Sequence, residues 1–90
     1  MAVTMFIRHR VAEFGTWHQV YTDVAPMQKA GGVLAEAVYQ ATDDPNDVTV
    51  THDFAGESAA QAFAASPDLK AAMERAGVVE APTIWITSRA

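Results

Sequence analysis

The chain has 90 residues, half of them hydrophobic, a net charge of −5 and no cysteine. Without cysteine there are no disulfides and no thiolate chemistry, as suits a reducing compartment; scattered Lys and Arg on an acidic chain argue against nucleic acid, whose phosphates need clustered cations. The length bounds the fold to one small domain spanning residues 1–90, and the hydrophobic content exceeds what a thin core uses, so a second copy of the chain is expected to cover the surplus.

The opening stretch MAVTMFIRHRV lacks the basic leader and unbroken apolar segment of a secretory signal. No apolar run approaches the roughly 20 residues that cross a bilayer. A cytoplasmic protein with no membrane partner is expected.

Residues 3–11 alternate with period two and predict a strand. Val3, Met5, Ile7, His9 and Val11 take one face; Thr4, Phe6, Arg8 and Arg10 take the other. From Phe14 the apolar spacing changes to three and four, through Trp17, Tyr21, Val24 and Gln28, which predicts a helix. Pro26 should kink it or end its regular part, and Gly31-Gly32 should stop it.

Residues 33–42 read as a second strand, and the acidic DDPND at 43–47 as a solvated turn. That turn lacks the spacing and the glycine of a calcium loop. Residues 47–55 read as a third strand, with Val48, Val50, His52 and Phe54 on one face and Thr49, Thr51 and Asp53 on the other. A helix should start near Glu57, break at Ser66-Pro67 with Ser66 as N-cap, and end at Gly77. Residues 82–88 complete the pattern as a last strand, with Ile84 and Ile86 opposite Trp85.

The order βαββαβ points to an α+β, ferredoxin-like sandwich: one four-stranded antiparallel sheet with helices on one face. The first and third strands are expected as parallel central neighbours. That would place His9 and His52 side by side, under the helices, with Met5, Ile7, Val48, Val50, Phe54, Ile84 and Ile86. The other face then holds Phe6, Trp85, Leu34 and Val38 among Arg8, Arg10, Glu36 and Asp53. Such a patch marks an interface, with Trp85 as anchor and Arg10 paired to Asp53.

His9 and His52 are the candidates for chemistry, because imidazole titrates near neutrality and suits general acid–base work. Trp17, Tyr21, Tyr39, Phe54, Phe63 and Met73 are candidates to hold a planar phenolic ligand against them. Core formation alone also explains Trp17 and Tyr21, and both histidines are equally readable as satisfied strand residues. His18 would complete a three-histidine metal set, but no ligand spacing supports it, and a surface position fits better. No metal is expected. There is no phosphate-binding glycine loop and no nucleophile elbow.

The segments FIRHRVAEFGTWHQVY, AGGV, DDPNDVTVTHDF and AFAASPDLKAAMERAGVVEAPTIW together resemble the small dimeric α+β barrel proteins of the antibiotic-biosynthesis-monooxygenase type. The resemblance implies a homodimer whose two sheets form a barrel, with any ligand between helices and sheet of one subunit. It implies activities such as cofactor-independent oxidation of phenolic polyketides, haem degradation, or ring-forming steps. The haem-degrading branch has an asparagine on the first strand and a Trp and a His on the second helix. Here that strand face carries Met5, Ile7 and His9, and the second helix has neither, so haem degradation is not expected. A cofactor-independent monooxygenase or cyclase acting on an aromatic or polyketide-like molecule is one reading. The other is a non-catalytic dimeric ligand-binding or stress-associated domain.

Overall fold

A computed structural model describes residues 2–90. Strand β1 (Val3–Arg10) leads into helix α1 (Phe14–Asp23) and the short helix α2 (Ala25–Ala30). The hairpin of β2 (Ala35–Ala41) and β3 (Asp44–Phe54) follows, then α3 (Glu57–Ala64), α4 (Pro67–Arg75) and β4 (Thr83–Ser88). The sheet order is β2-β3-β1-β4, and every neighbouring pair is antiparallel. This is the ferredoxin-like arrangement expected from the element order.

Each predicted helix is divided in two by a residue that the backbone cannot carry through regularly. Pro26 sits in the first turn of α2, where its missing N–H costs nothing, so it opens a new helix instead of kinking the old one. Ser66-Pro67 separates α3 from α4 in the same way. Ser66 holds the N-cap position but makes no side-chain capping bond. At the start of α1 that role falls to Glu13, whose carboxylate accepts from Gly15 N–H at 2.9 Å and Thr16 N–H at 2.6 Å. After α4 the chain turns through Gly77, at φ +84°, a conformation that side-chain-bearing residues rarely adopt. Gly31 has a different reason: a Cβ there would lie 2.6 Å from the ring of Phe63, so only glycine lets the end of α2 settle on α3.

Two expectations about the sheet fail. β1 and β3 run antiparallel, not parallel. The helical crossover brings β2 back parallel to β1, the turn after Ala41 reverses the chain, and β3 enters between them pointing the other way. His9 is therefore opposite Val48, and His52 opposite Met5. The two histidines share a face but stand four register positions apart, not side by side.

The second failure is the phase of β2. Glu36 pairs with His52 and Val38 with Val50, so Leu34, Glu36 and Val38 belong to the helix side. Ala35, Ala37 and Tyr39 take the open side. The hairpin is also tighter than expected: β3 starts at Asp44, inside the predicted turn, with a register shift between Gln40 and Ala41.

The core lies between sheet and helices. Met5, Val48 and Phe54 are fully buried, with Trp17, Val50 and Phe63 nearly so. On the open side Phe6 and Trp85 stack at 5.2 Å with ring planes 6° apart, and Trp85 keeps 43% of its surface exposed. The expected Arg10–Asp53 pair does not form, because antiparallel pairing puts those residues at opposite ends of the sheet. Arg10 pairs with Asp44 at 2.5 Å and Arg8 with Asp47 at 2.6 Å. Asp53 accepts instead from the Thr4 hydroxyl. No helix among the described residues is long and apolar enough to cross a membrane.

Candidate active site

Strand alternation turns His9 and His52 inward, where they are 3% and 2% exposed. His52 is ringed by aromatics: Phe63 and Phe54 meet it edge-on, and Tyr21 from α1 lies nearly parallel to it at 6.2 Å. His9 meets the edge of Trp17 at 5.7 Å. Helical spacing puts Trp17 one turn before Tyr21, and their rings stack at 5.0 Å.

Polar partners are few. The Tyr21 hydroxyl donates to Glu36 Oε2 at 2.6 Å and lies 3.2 Å from His52 Nε2. A phenol has one hydrogen, and here the carboxylate receives it. His52 Nε2 must then carry a proton and donate to the Tyr21 oxygen. That leaves His52 Nδ1 as a bare lone pair, buried and without a partner. Neither nitrogen of His9 has a partner either. Each buried orphan costs about 1–3 kcal/mol. Orphans of this kind ask for an explanation, such as a catalytic role or a bound water or ion.

Burial also sets their charge. It pushes the pKa of His52 down to about 4, against the opposing pull of Glu36 and Asp53. The pKa of His9 is lowered for the same reason, opposed by Glu80. Both rings are neutral near pH 7. Burial raises the Tyr21 pKa, and the Glu36 carboxylate raises it further, so Tyr21 stays a phenol and works as a donor.

Two spaces adjoin these residues. An inner cavity of about 40 Å³ lies among His9, His52, Trp17, Leu69 and Met73. An outer cleft of about 500 Å³ opens between the α1–α2 segment and β2, lined by His18, Lys29, Leu34, Glu36 and Val38. Tyr21 and Gln28 line both. The inner cavity has room for a water or a diatomic gas but not for an aromatic ring, which needs roughly 150 Å³. The outer cleft has the capacity usual for small-molecule sites, roughly 300–1,000 Å³.

Of the sequence-stated ligand residues, the structure brings Trp17, Tyr21 and Met73 to the inner cavity. Phe54 and Phe63 are core residues behind His52. Tyr39 is misplaced: it lies on the open side of the sheet, 58% exposed, away from both spaces. His18 is on the outer cleft and stacks on Phe14. Among the described residues no group of three His, Asp or Glu is disposed to hold a metal ion. The sequence pattern puts Glu36 on the opposite face, but pairing with β3 turns it to the helix side, where its carboxylate holds Tyr21; Lys29, on the outer cleft, carries no sequence signal that marks it.

An antiparallel sheet with helices on one face, and buried histidines between the layers, defines a ferredoxin-like α+β protein. Residues 1–75 match the family model for antibiotic biosynthesis monooxygenase, and the chain belongs to that family. Its fold is similar to that of SnoaB, a cofactor-independent oxygenase from Streptomyces nogalater, at 16% identity and a TM-score of 0.76, covering 99% of this chain and 94% of that one. A protein of the same family description from Bordetella bronchiseptica superposes with a TM-score of 0.85 at 13% identity, covering 99% and 97% of the two chains. A conserved protein from Methanosarcina mazei Go1 gives 0.79 at 14%, covering 100% and 94%. At these identities the likeness is one of fold. No curated protein matches the chain.

Proposed function

We propose that this chain is a homodimeric, cofactor-independent monooxygenase or cyclase acting on an aromatic or polyketide-like substrate, with His52 as its principal base and His9 as a second polar contact. The observation that carries this reading is the line His52–Tyr21–Glu36, which joins a buried lone pair to an open cleft of substrate size. Family membership and the fold shared with a cofactor-independent oxygenase support it.

In this chemistry His52 Nδ1 takes a phenolic proton. The phenolate gives one electron to dioxygen, and the resulting radical and superoxide combine to a hydroperoxide. Loss of water then leaves a carbonyl where a CH2 stood, so one dioxygen is consumed and one water formed. In the cyclase branch, the phenolate's ortho ring carbon attacks a carbonyl instead; the new carbon–carbon bond forms as the carbonyl oxygen takes up the proton held by His52, and loss of the ring proton restores the aromatic ring. Burial makes His52 a weak base, which favours acidic, electron-rich hydroxyaromatics over simple phenol; a bound phenolate would raise the ring's basicity by ion pairing. The second copy would cover the open sheet side, where Trp85 is exposed and half-buried Phe6 stacks on it, with Arg8, Arg10 and Asp53 around them.

Oxygen uptake with a panel of polyhydroxylated anthrones and naphthols tests the reading. His52→Ala should lose about 100-fold or more in kcat, and His9→Ala less. Uptake equal in wild type and both variants would refute the assignment. The small inner cavity favours a second reading, a non-catalytic ligand-binding domain. Tight binding of such compounds with no uptake and no new product would establish that instead.

A further inference from the structure

The inner cavity is lined by both buried histidines but has no room for a ring, while the outer cleft has room but only the rim of the polar line. Tyr21 stands between them, with Gln28 beside it. We propose that Tyr21 is a door that decides what reaches the histidines: a hydroxylated ring enters by displacing the Tyr21 side chain and taking over, with its own hydroxyl, the position between Glu36 and His52. This deepens the proposed function and rests on it for the class of ligand: the hydroxyl held between Glu36 and His52 Nε2–H anchors the ring, and a second hydroxyl of a polyhydroxylated substrate is the one that gives its proton to His52 Nδ1.

The case is one of matching shapes and partners. A tyrosine side chain is itself a phenol. The volume it vacates therefore suits a phenolic ring, and the adjoining 40 Å³ extends that space toward His9 for a substituent. The hydroxyl it withdraws leaves a donor, His52 Nε2–H, and an acceptor, Glu36 Oε2, which an incoming phenol satisfies without loss. A ring with no hydroxyl would leave both unpaired, at a cost that a site built for a hydroxyl imposes on every analogue lacking it. The apolar walls are already present in Trp17, Val50 and Met73. A route for the movement exists as well: the helix break at Val24–Pro26 lies one turn beyond Tyr21, so α1 and α2 need not move as one rod.

The three histidines report on the door directly, since His18 lines the outer cleft and His9 and His52 the inner cavity. The full chain is titrated with 2-naphthol while the imidazole C–H signals are followed by NMR. Signals of His52 and His9 should shift in the wild type. Tyr21→Phe, which keeps the ring but removes the competing hydroxyl, should bind 2-naphthol about five-fold tighter, and Glu36→Gln should change affinity less. Naphthalene should bind at least about ten-fold more weakly than 2-naphthol. Shifts confined to His18, or equal or weaker binding by Tyr21→Phe, would overturn the door. Failure of the oxygenase reading looks different: 2-naphthol reaches His52 and His9, yet no hydroxyaromatic supports oxygen uptake.

Discussion

The helix-covered side and the open side of the sheet are built from alternate residues of the same strands, and they leave opposite needs unmet. On the covered side the apolar residues of the central strands are fully packed, as at Met5 and Phe54, while polar atoms are left without partners: both nitrogens of His9 and Nδ1 of His52. On the open side Thr4 is paired with Asp53, Arg8 with Asp47 and Arg10 with Asp44, while Tyr39 and Trp85 keep much of their surface uncovered. Unmet polar demand inside calls for a ligand. Unmet apolar demand outside calls for another protein surface.

The strongest way to break this contrast is to empty the covered side. Phe54→Ala should destabilise the fold by about 3–5 kcal/mol, measured by urea unfolding; a loss near 1 kcal/mol would mean that the core is not centred there. Acid should come next. His52 is held neutral in the fold, with a pKa near 4 against 6.5 when unfolded. Its contribution is complete above about pH 6.5 and falls as acid protonates the unfolded chain, by about 3 kcal/mol in all by pH 4. His9 adds in the same direction. Unfolding curves from pH 7 to 4 should show this slope, and His52→Leu should flatten it.

On the open side, where the homodimer is proposed to form, Trp85→Asp should raise its dissociation constant by about 30-fold, measured by sedimentation. An unchanged constant would move the interface elsewhere. The smallest effect belongs to the ion pairs. Arg8→Ala should lower stability slightly at low salt, with the difference fading at high salt, since Arg8 is largely exposed.

The sequence made the elements legible because their signals are local. Period two in β1 and β3, the apolar stripe from Phe14, and the breaks at Pro26 and Pro67 all lie within a few residues of what they determine. The phase of β2 was not legible. Its two faces read Leu, Glu, Val and Ala, Ala, Tyr, which differ little in hydrophobicity, so only pairing with β3 decides that Glu36 turns inward. Hence Glu36 and Tyr39 were each assigned to the wrong side. The direction of β1 against β3 is a property of connectivity, and it separates two histidines that parallel pairing would have set side by side. What did carry over is that both face inward, because alternation within a strand survives any change of partner.

The place of β1 in the sheet has a consequence for how fast the molecule forms. It is a central strand, yet all its register partners lie beyond residue 43, in β3 and β4. The β2–β3 hairpin closes across a short turn and should form early; β1 must then wait for long loops to close, and such topologies fold slowly. Val3 is opposite Ser88, so the start of β1 lies beside the end of β4. A circular permutant that links them through a short turn and opens the chain between α4 and β4 would make the β4–β1 pair a local hairpin. It should fold several-fold faster with the same sheet order, which stopped-flow refolding would show.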